Sequence, residues 1–264
     1  MPRKKSRSTP LGLIILLILL TAGAGFLIYT TWNQLHNTPY YSNKPISEQE
    51  ALKFEYVFKT QPEPVLGIDI SHYQGKIIWD RLELQIKDIP VKFFVFRATM
   101  GYDQDKLFDE YWEALDTMDI VKGAYHYYRP NENSTKQAEN FIKNVNLEKG
   151  DLRPILDIER NSTVQSQERL RTGILNWLQL VGAHYGVKPI IYTGDTFNRH
   201  VLEGNGFEDY PLWVANYNPV KTPESDSWTI WQFSEKGRLN GINENVDLNI
   251  LRGGYKALES LMID

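Results

Sequence analysis

From Val65 onward the chain alternates short apolar runs with amphipathic ones, and that alternation restricts it to a sheet of mostly parallel strands covered by helices. Runs that read as strands are Leu66–Ile70, Phe93–Ala98, Val121–Tyr127, Pro154–Ile158, Pro189–Thr193, Leu212–Ala215, Thr229–Phe233 and Asn245–Leu248. Helical periodicity fits Ile78–Lys87, Leu107–Met118, Ser134–Val145, Gln167–Tyr185 and Thr196–Leu202. Strand and helix thus alternate five times before three strands follow in quick succession. Eight strands suggest a closed barrel. An open doubly wound sheet would place helices among the last three strands too, and the connections there are too short.

In a barrel of this kind the chemistry sits at the C-terminal ends of the strands. Several strand ends here are polar or aromatic where a core would be apolar: Asp69, Arg97, Tyr125-His126-Tyr127, Tyr192, Trp213 with Asn216, Gln232 and Asp247. The densest is Asp157-Ile158-Glu159, where two carboxylates two residues apart share one face of a strand. Packing explains such a pair poorly. The charges repel, and partial burial raises the pKa of at least one, which is how a site keeps one carboxyl protonated beside an ionised neighbour.

Each residue also has a structural explanation. Asp69 could cap a turn, Asp247 could be a turn residue, and His126 between two tyrosines fits a hydrogen-bonded core histidine. Aromatic residues beside carboxylates nonetheless suit a sugar, which offers an apolar C–H face to a ring and hydroxyls to acids and amides. Other chemistries find little support. The chain has no cysteine, no pair of histidines at metal-ligand spacing and no G-x-S-x-G elbow. Net charge is −4 although four positive residues crowd the first seven, so the remainder is strongly acidic and ill suited to nucleic acid.

Those four are Arg3, Lys4, Lys5 and Arg7, and Leu11 to Tyr29 follows as 19 residues without charge. The run is about 28 Å long as a helix, close to the hydrocarbon thickness of a bilayer. The expectation is a cytoplasmic basic tail (1–10), a transmembrane anchor (11–30), a spacer (31–64) and an exported barrel (65–264). A signal peptide cleaved after Ala22-Gly-Ala24 is the alternative, and it would give a secreted protein. Ser47-Glu-Gln-Glu50 fits a capping box, so a short helix over Ala51–Phe58 is expected within the spacer.

Eight segments carry a family resemblance. They are Gly67-Ile-Asp-Ile-Ser-His-Tyr-Gln-Gly75, Phe96-Arg-Ala-Thr-Met-Gly101, Gly123-Ala-Tyr-His-Tyr-Tyr128, Pro154-Ile-Leu-Asp-Ile-Glu159, Ile191-Tyr-Thr-Gly194, Leu212-Trp-Val-Ala-Asn-Tyr217, Trp231-Gln232 and Val246-Asp-Leu-Asn249. In that order they resemble glycoside hydrolase family 25, the Chalaropsis-type lysozymes. The resemblance spans about residues 65 to 255. It implies an α/β fold, a TIM-like (β/α)5(β)3 barrel, and a muramidase that cleaves peptidoglycan between N-acetylmuramic acid and N-acetylglucosamine. It further implies Glu159 as general acid assisted by Asp157, with Asp69 and Asp247 completing the acid set. Arg97, Tyr125, His126, Tyr127, Tyr192, Trp213, Asn216 and Gln232 are the expected substrate-binding residues. No metal or other cofactor is implied, and a monomer is expected. Met100 departs from the glutamate that many members carry after Ala-Thr, which points to an altered subsite preference. A catalytically silent glycan-binding module is the alternative reading, and the intact acid set favours the enzyme.

Overall fold

A computed structural model of the protein describes residues 11–37, 47–61 and 63–264. The expected basic tail and part of the expected spacer, residues 38–46, lie outside the described residues. The chain divides into two units, residues 1–39 and 40–264.

The first unit contains one helix, α1 (Leu11–Asn37). Thr21, Gly23, Gly25, Thr30 and Thr31 dilute its apolar character. Among the described residues no helix is long and apolar enough to cross a membrane. The helix expected here is present, and no membrane-spanning stretch is found among its described residues.

The second unit opens with α2 (Glu48–Thr60), longer than the expected Ala51–Phe58. Ser47 caps it by accepting from the Glu50 amide at 3.2 Å. The box is only half made, because the Glu50 carboxylate turns to Lys53 at 3.0 Å and to the Ser234 hydroxyl at 2.6 Å. Phe54 and Val57 are buried in the main core, and the Phe54 ring meets Phe233 edge-on at 5.6 Å. The helix is therefore packed on the barrel, although it lies in the stretch read as spacer.

The barrel strands are β1 (Val65–Ile70), β3 (Ile89–Met100), β5 (Val121–Tyr127), β6 (Ile155–Asp157), β7 (Ile190–Gly194), β8 (Leu212–Ala215), β9 (Trp228–Gly237) and β10 (Val246–Leu251). Two short strands flank β3: β2 (Gln85–Ile86) and β4 (Asp103–Gln104). Strands β1, β3, β5, β6, β7, β8 and β9 pair in parallel, β1 directly with β3. The ring closes through β10, antiparallel to both β9 and β1. A closed ring leaves no free sheet edge. Helices α3 (Phe108–Ala114), α4 (Ser134–Asn144), α5 (Gln167–Tyr185) and α6 (Asp195–Phe197) lie in the connections, and α6 runs on into a π turn at Asn198–Leu202. The final helix is α7 (Gly254–Ser260).

One expected helix is absent. Ile78–Lys87 forms a 3-10 turn at Trp79–Arg81 and then strand β2. Its amides are taken by a distant loop: Ile78 donates to the Gly241 carbonyl at 2.9 Å and Glu83 to that of Asn240 at 3.4 Å. Strand β2 then doubles back onto β3 through Lys87 and Asp88, both at positive φ (48° and 65°). Positive φ at both central residues is the primed hairpin turn, and Lys-Asp lacks the glycine that usually signals it.

Two apolar layers hold the barrel. The inner one joins Phe93, Val95, Ile155, Ile190, Trp213 and Ile230, with Leu258 and Leu261 of the C-terminal segment at its base. Gly67 belongs to this interior, since a Cβ there would lie 2.0 Å from the Phe93 ring. The outer layer joins the other strand faces to the helices and to α2.

Burial of Phe54 against Phe233 sets an expected cost. Phe54→Ala should lower unfolding stability by about 3 kcal/mol, the usual scale for a phenylalanine truncated in a core. A denaturant melt with an unchanged midpoint would show that α2 is not held there.

Candidate active site

The parallel strands deliver their C-terminal ends to one pole, and a cleft of about 330 Å³ opens there. Asp69 is the penultimate residue of β1, Arg97 lies near the end of β3, Tyr125 and Tyr127 lie at the end of β5, and Asp157 ends β6. Tyr192, Trp213 and Gln232 come from β7, β8 and β9, and all of these residues line the cleft. Asp247 arrives differently. Strand β10 runs the opposite way, so its second residue, not its last, pairs with Asp69 at the same pole.

A saturated polar network fixes Asp69. Its Oδ2 accepts from Gln232 Nε2 at 2.9 Å and from Asn249 Nδ2 at 2.7 Å. Both amides are oriented in turn: Tyr192 donates to Gln232 Oε1 at 2.7 Å, Tyr217 donates to the same oxygen, and Trp213 Nε1 donates to Asn249 Oδ1 at 2.9 Å. Each amide oxygen thus receives hydrogens and each amide nitrogen faces the carboxylate, which leaves no alternative flip.

Four carboxylates converge here, and each titrates above its ordinary range. Burial raises Asp69 to about 6, against the lowering effect of its Asn249 and Gln232 hydrogen bonds. Burial and the charge of Asp69 carry Asp247 to about 9. The two titrate as a pair, with one proton retained between them at neutral pH. Asp157 rises well above the carboxylate range through burial first and then through Glu159 and Asp69. Its Oδ1 is buried and accepts no hydrogen bond from the protein. Glu159 stands at the rim, exposed to solvent yet crowded by the cleft walls. That crowding raises it, Arg160 and Tyr192 pull it down, and Glu235 pushes it up. An elevated carboxyl in this pair is what the sequence predicts, and burial is the leading cause for both members, while the mutual repulsion falls on Asp157. Desolvation and Glu235 act on Glu159, whereas Glu159 acts on Asp157. Burial also lifts the Tyr125 and Tyr192 phenols well above their usual range, so both remain O–H donors.

One wall is a bracket of charges. Asp105, absent from the expected set, accepts from Arg97 Nε at 2.9 Å and from the backbone amides of His72 and Leu107. His72 Nδ1 lies 2.8 Å from the same carboxylate. On this bracket stands Tyr73, 69% exposed, with the Arg97 guanidinium 5.0 Å from its ring centre and the His72 ring at 4.4 Å. An exposed aromatic face supported from behind is a platform for an apolar sugar face. A second hollow of about 730 Å³ continues past Tyr73, Tyr127 and Glu159 to Met100, Arg129, Asn131 and Thr163.

Two expected binding residues are not brought to the cleft. His126 alternates with Tyr125 and Tyr127 and so faces the helices. It is fully buried, 2.7 Å from Thr99 Oγ1 and 3.0 Å from Gln137 Oε1, and burial lowers it to about 4. Asn216 is spent on the loop after β8, where it donates to Asp195 at 2.5 Å and its carbonyl accepts from Trp231 Nε1. The sequence reading in turn missed Tyr73, Gln74 and Glu235, which line the cleft, and Asn249, which orients Asp69. Asn249 had a readable signal, since it lies two residues from Asp247 on the same strand. Among the described residues no group of three or more His, Cys, Asp or Glu is arranged to hold a metal ion.

The family model described as glycosyl hydrolases family 25 matches residues 68–242. The chain belongs to that family. Lysozyme M1 of Streptomyces globisporus is 33% identical over 213 residues, covering 75% of this chain and 71% of that one. The uncharacterized protein YegX of Escherichia coli strain K12 is 35% identical over 203 residues, covering 74% and 72%. Among solved structures, a bacterial lysozyme from Streptomyces coelicolor superposes with a TM-score of 0.67 at 31% identity, covering 75% of this chain and 96% of that one. A family 25 glycosyl hydrolase from Bacillus anthracis gives 0.67 at 26% identity, covering 76% and 94%. With this membership the chain is a glycoside hydrolase of the muramidase type, on the eight-stranded α/β barrel of the family.

The raised carboxyls of the cleft each favour the folded state at acid pH. Folded Asp247 holds its proton to about 9, whereas an unfolded aspartate loses it near 4, so between those values the folded state binds more protons. Its contribution is fully present below about pH 4 and is lost as pH rises toward 9. Asp247→Asn should therefore raise Tm, with a gain that grows from pH 5 to pH 9. A gain independent of pH would contradict the retained proton.

Proposed function

We propose that the protein hydrolyses the β-1,4 bond between N-acetylmuramic acid and N-acetylglucosamine in peptidoglycan, with Glu159 as the general acid. The observation that carries this reading is the stacking of acids in the cleft. Three carboxylates are fixed in its floor, and the fourth, Glu159, stands at the rim with an elevated pKa where a glycosidic oxygen would lie. A carboxyl that keeps its proton can protonate the leaving oxygen.

The floor has complementary work. Asp69, oriented by Gln232 and Asn249, is the member of its pair that ionises first, and its charge stabilises positive charge developing at the anomeric carbon. Asp157 presents an oxygen that the protein does not satisfy, and it assists by holding a polar substituent of the sugar, such as the acetamido group, against the reacting centre. Tyr73 and Tyr127 supply ring faces and Arg97 a cation along the walls. The relatives named as lysozymes support peptidoglycan as the substrate.

Peptidoglycan lies outside the cytoplasmic membrane, so the reading places the barrel there. We propose further that the uncharged run Leu11–Tyr29, preceded by four basic residues, holds the chain at the membrane.

Glu159→Gln keeps the side chain's shape and removes its proton. Activity should fall ~10²-fold or more, the scale of general acid catalysis, as read by clearing of a peptidoglycan suspension. Mass spectrometry of wild-type products should show N-acetylmuramic acid at the new reducing ends; N-acetylglucosamine there would overturn the bond assignment. Asp69→Asn should lower kcat more than it raises KM. Full-length protein should stay in the membrane fraction after a high-salt wash, because apolar burial does not depend on ionic strength. A soluble mature form beginning near Gly25 would establish cleavage instead.

A further inference from the structure

The catalytic cleft does not end at Glu235. That residue also lines a smaller hollow of about 200 Å³, whose other walls are Gln49, Glu50 and Lys53 of α2, Tyr217 and Pro219 of the loop after β8, and Lys236. On the opposite side of the acids, the large hollow shares Tyr73, Arg97, Tyr127 and Glu159 with the cleft. The three recesses thus adjoin in a row with the acids in the middle, the layout a polymer substrate needs.

The α2 side of this row is built as a site. Its floor is an ion pair between Glu50 and Lys53, each 4% exposed, with Ser234 bonded to the other Glu50 oxygen. A helix that merely packed on the barrel would do as well with apolar residues, since burying two charges costs about what their attraction returns. Polar groups fixed in a floor suit a hydroxyl-rich ligand instead. Above them Tyr217, 37% exposed, offers a ring face, and its hydroxyl is tied to Gln232, the residue that orients Asp69. Lys53 Nζ lies 5.8 Å from that ring. A ring face with hydroxyl and amide partners around it is the chemistry that recognises a pyranose.

We infer that this hollow is an additional glycan subsite, contributed by α2, which holds a sugar of the same peptidoglycan strand beyond those at the acids. Its α2 residues lie before residue 68, where the family match begins. The α2 wall of the subsite is thus an addition to the matched region, which supplies the other wall through Tyr217, Pro219, Glu235 and Lys236. It rests on the muramidase reading and extends it, because it makes the enzyme selective for longer strands.

The test compares kcat/KM on a peptidoglycan tetrasaccharide and an octasaccharide. Wild type should prefer the longer chain by about tenfold, the scale of one well-made sugar contact. Gln49→Trp, which fills the hollow from its exposed wall, should reduce that ratio toward one. If Gln49→Trp loosens α2, as a thermal melt would reveal, Pro219→Trp blocks the same space from the opposite wall. A ratio unchanged in a variant with wild-type Tm overturns the subsite and leaves the muramidase reading intact. Failure of the wild type to cleave either oligosaccharide or whole peptidoglycan overturns both.

Discussion

The site depends on keeping four carboxyl groups together at one pole of a barrel whose interior is otherwise apolar. Left alone, such a cluster would repel itself apart or draw in water. Two devices prevent this. Protons are retained, as the high titration of Asp247 and Asp157 shows. Amide dipoles are aimed at Asp69, with three aromatic donors (Tyr192, Tyr217 and Trp213) holding them in place. The aromatic residues therefore serve as wall and as scaffold at once, and the acid network reaches as far as Tyr217, next to α2.

Much of the architecture was readable because it rests on local periodicity. Val121–Tyr127, Leu212–Ala215 and Gln167–Tyr185 have the bounds their patterns predict. Strand parity also separates Tyr125 and Tyr127, in the cleft, from His126, behind it. The failures share a cause, which is partners distant in sequence. Ile78–Lys87 has helical spacing, yet its amides are claimed by residues 240 and 241. Asn216 has the right place at a strand end, but Asp195 takes its amide. Asp105 reads as an ordinary polar residue until the fold sets it against Arg97 and His72.

The antiparallel strand β10 shows how topology widens the choice of catalytic residues. Seven strands supply residues from their C-terminal halves to the pole. An eighth in the same direction would offer its end as well, after the chain had crossed the barrel once more. Reversal brings the beginning of β10 there directly after β9, and register pairs Asp247 with Asp69. The coupled titration of these two acids is thus a consequence of strand direction, and no spacing within either segment encodes it.

The first turn of helix α2, which carries Glu50, lies beside the cleft, and the helix delivers the chain to β1 at the opposite pole. Ser47, which caps the helix, therefore lies at the mouth of the barrel and not at its base. Tension applied at Ser47 would load the Glu50–Ser234 and Glu50–Lys53 contacts first, and the Phe54 packing after them. A pull on the molecule is then felt beside the catalytic groove before it is felt in the sheet, so the first structural yield under force would occur at the groove's own wall.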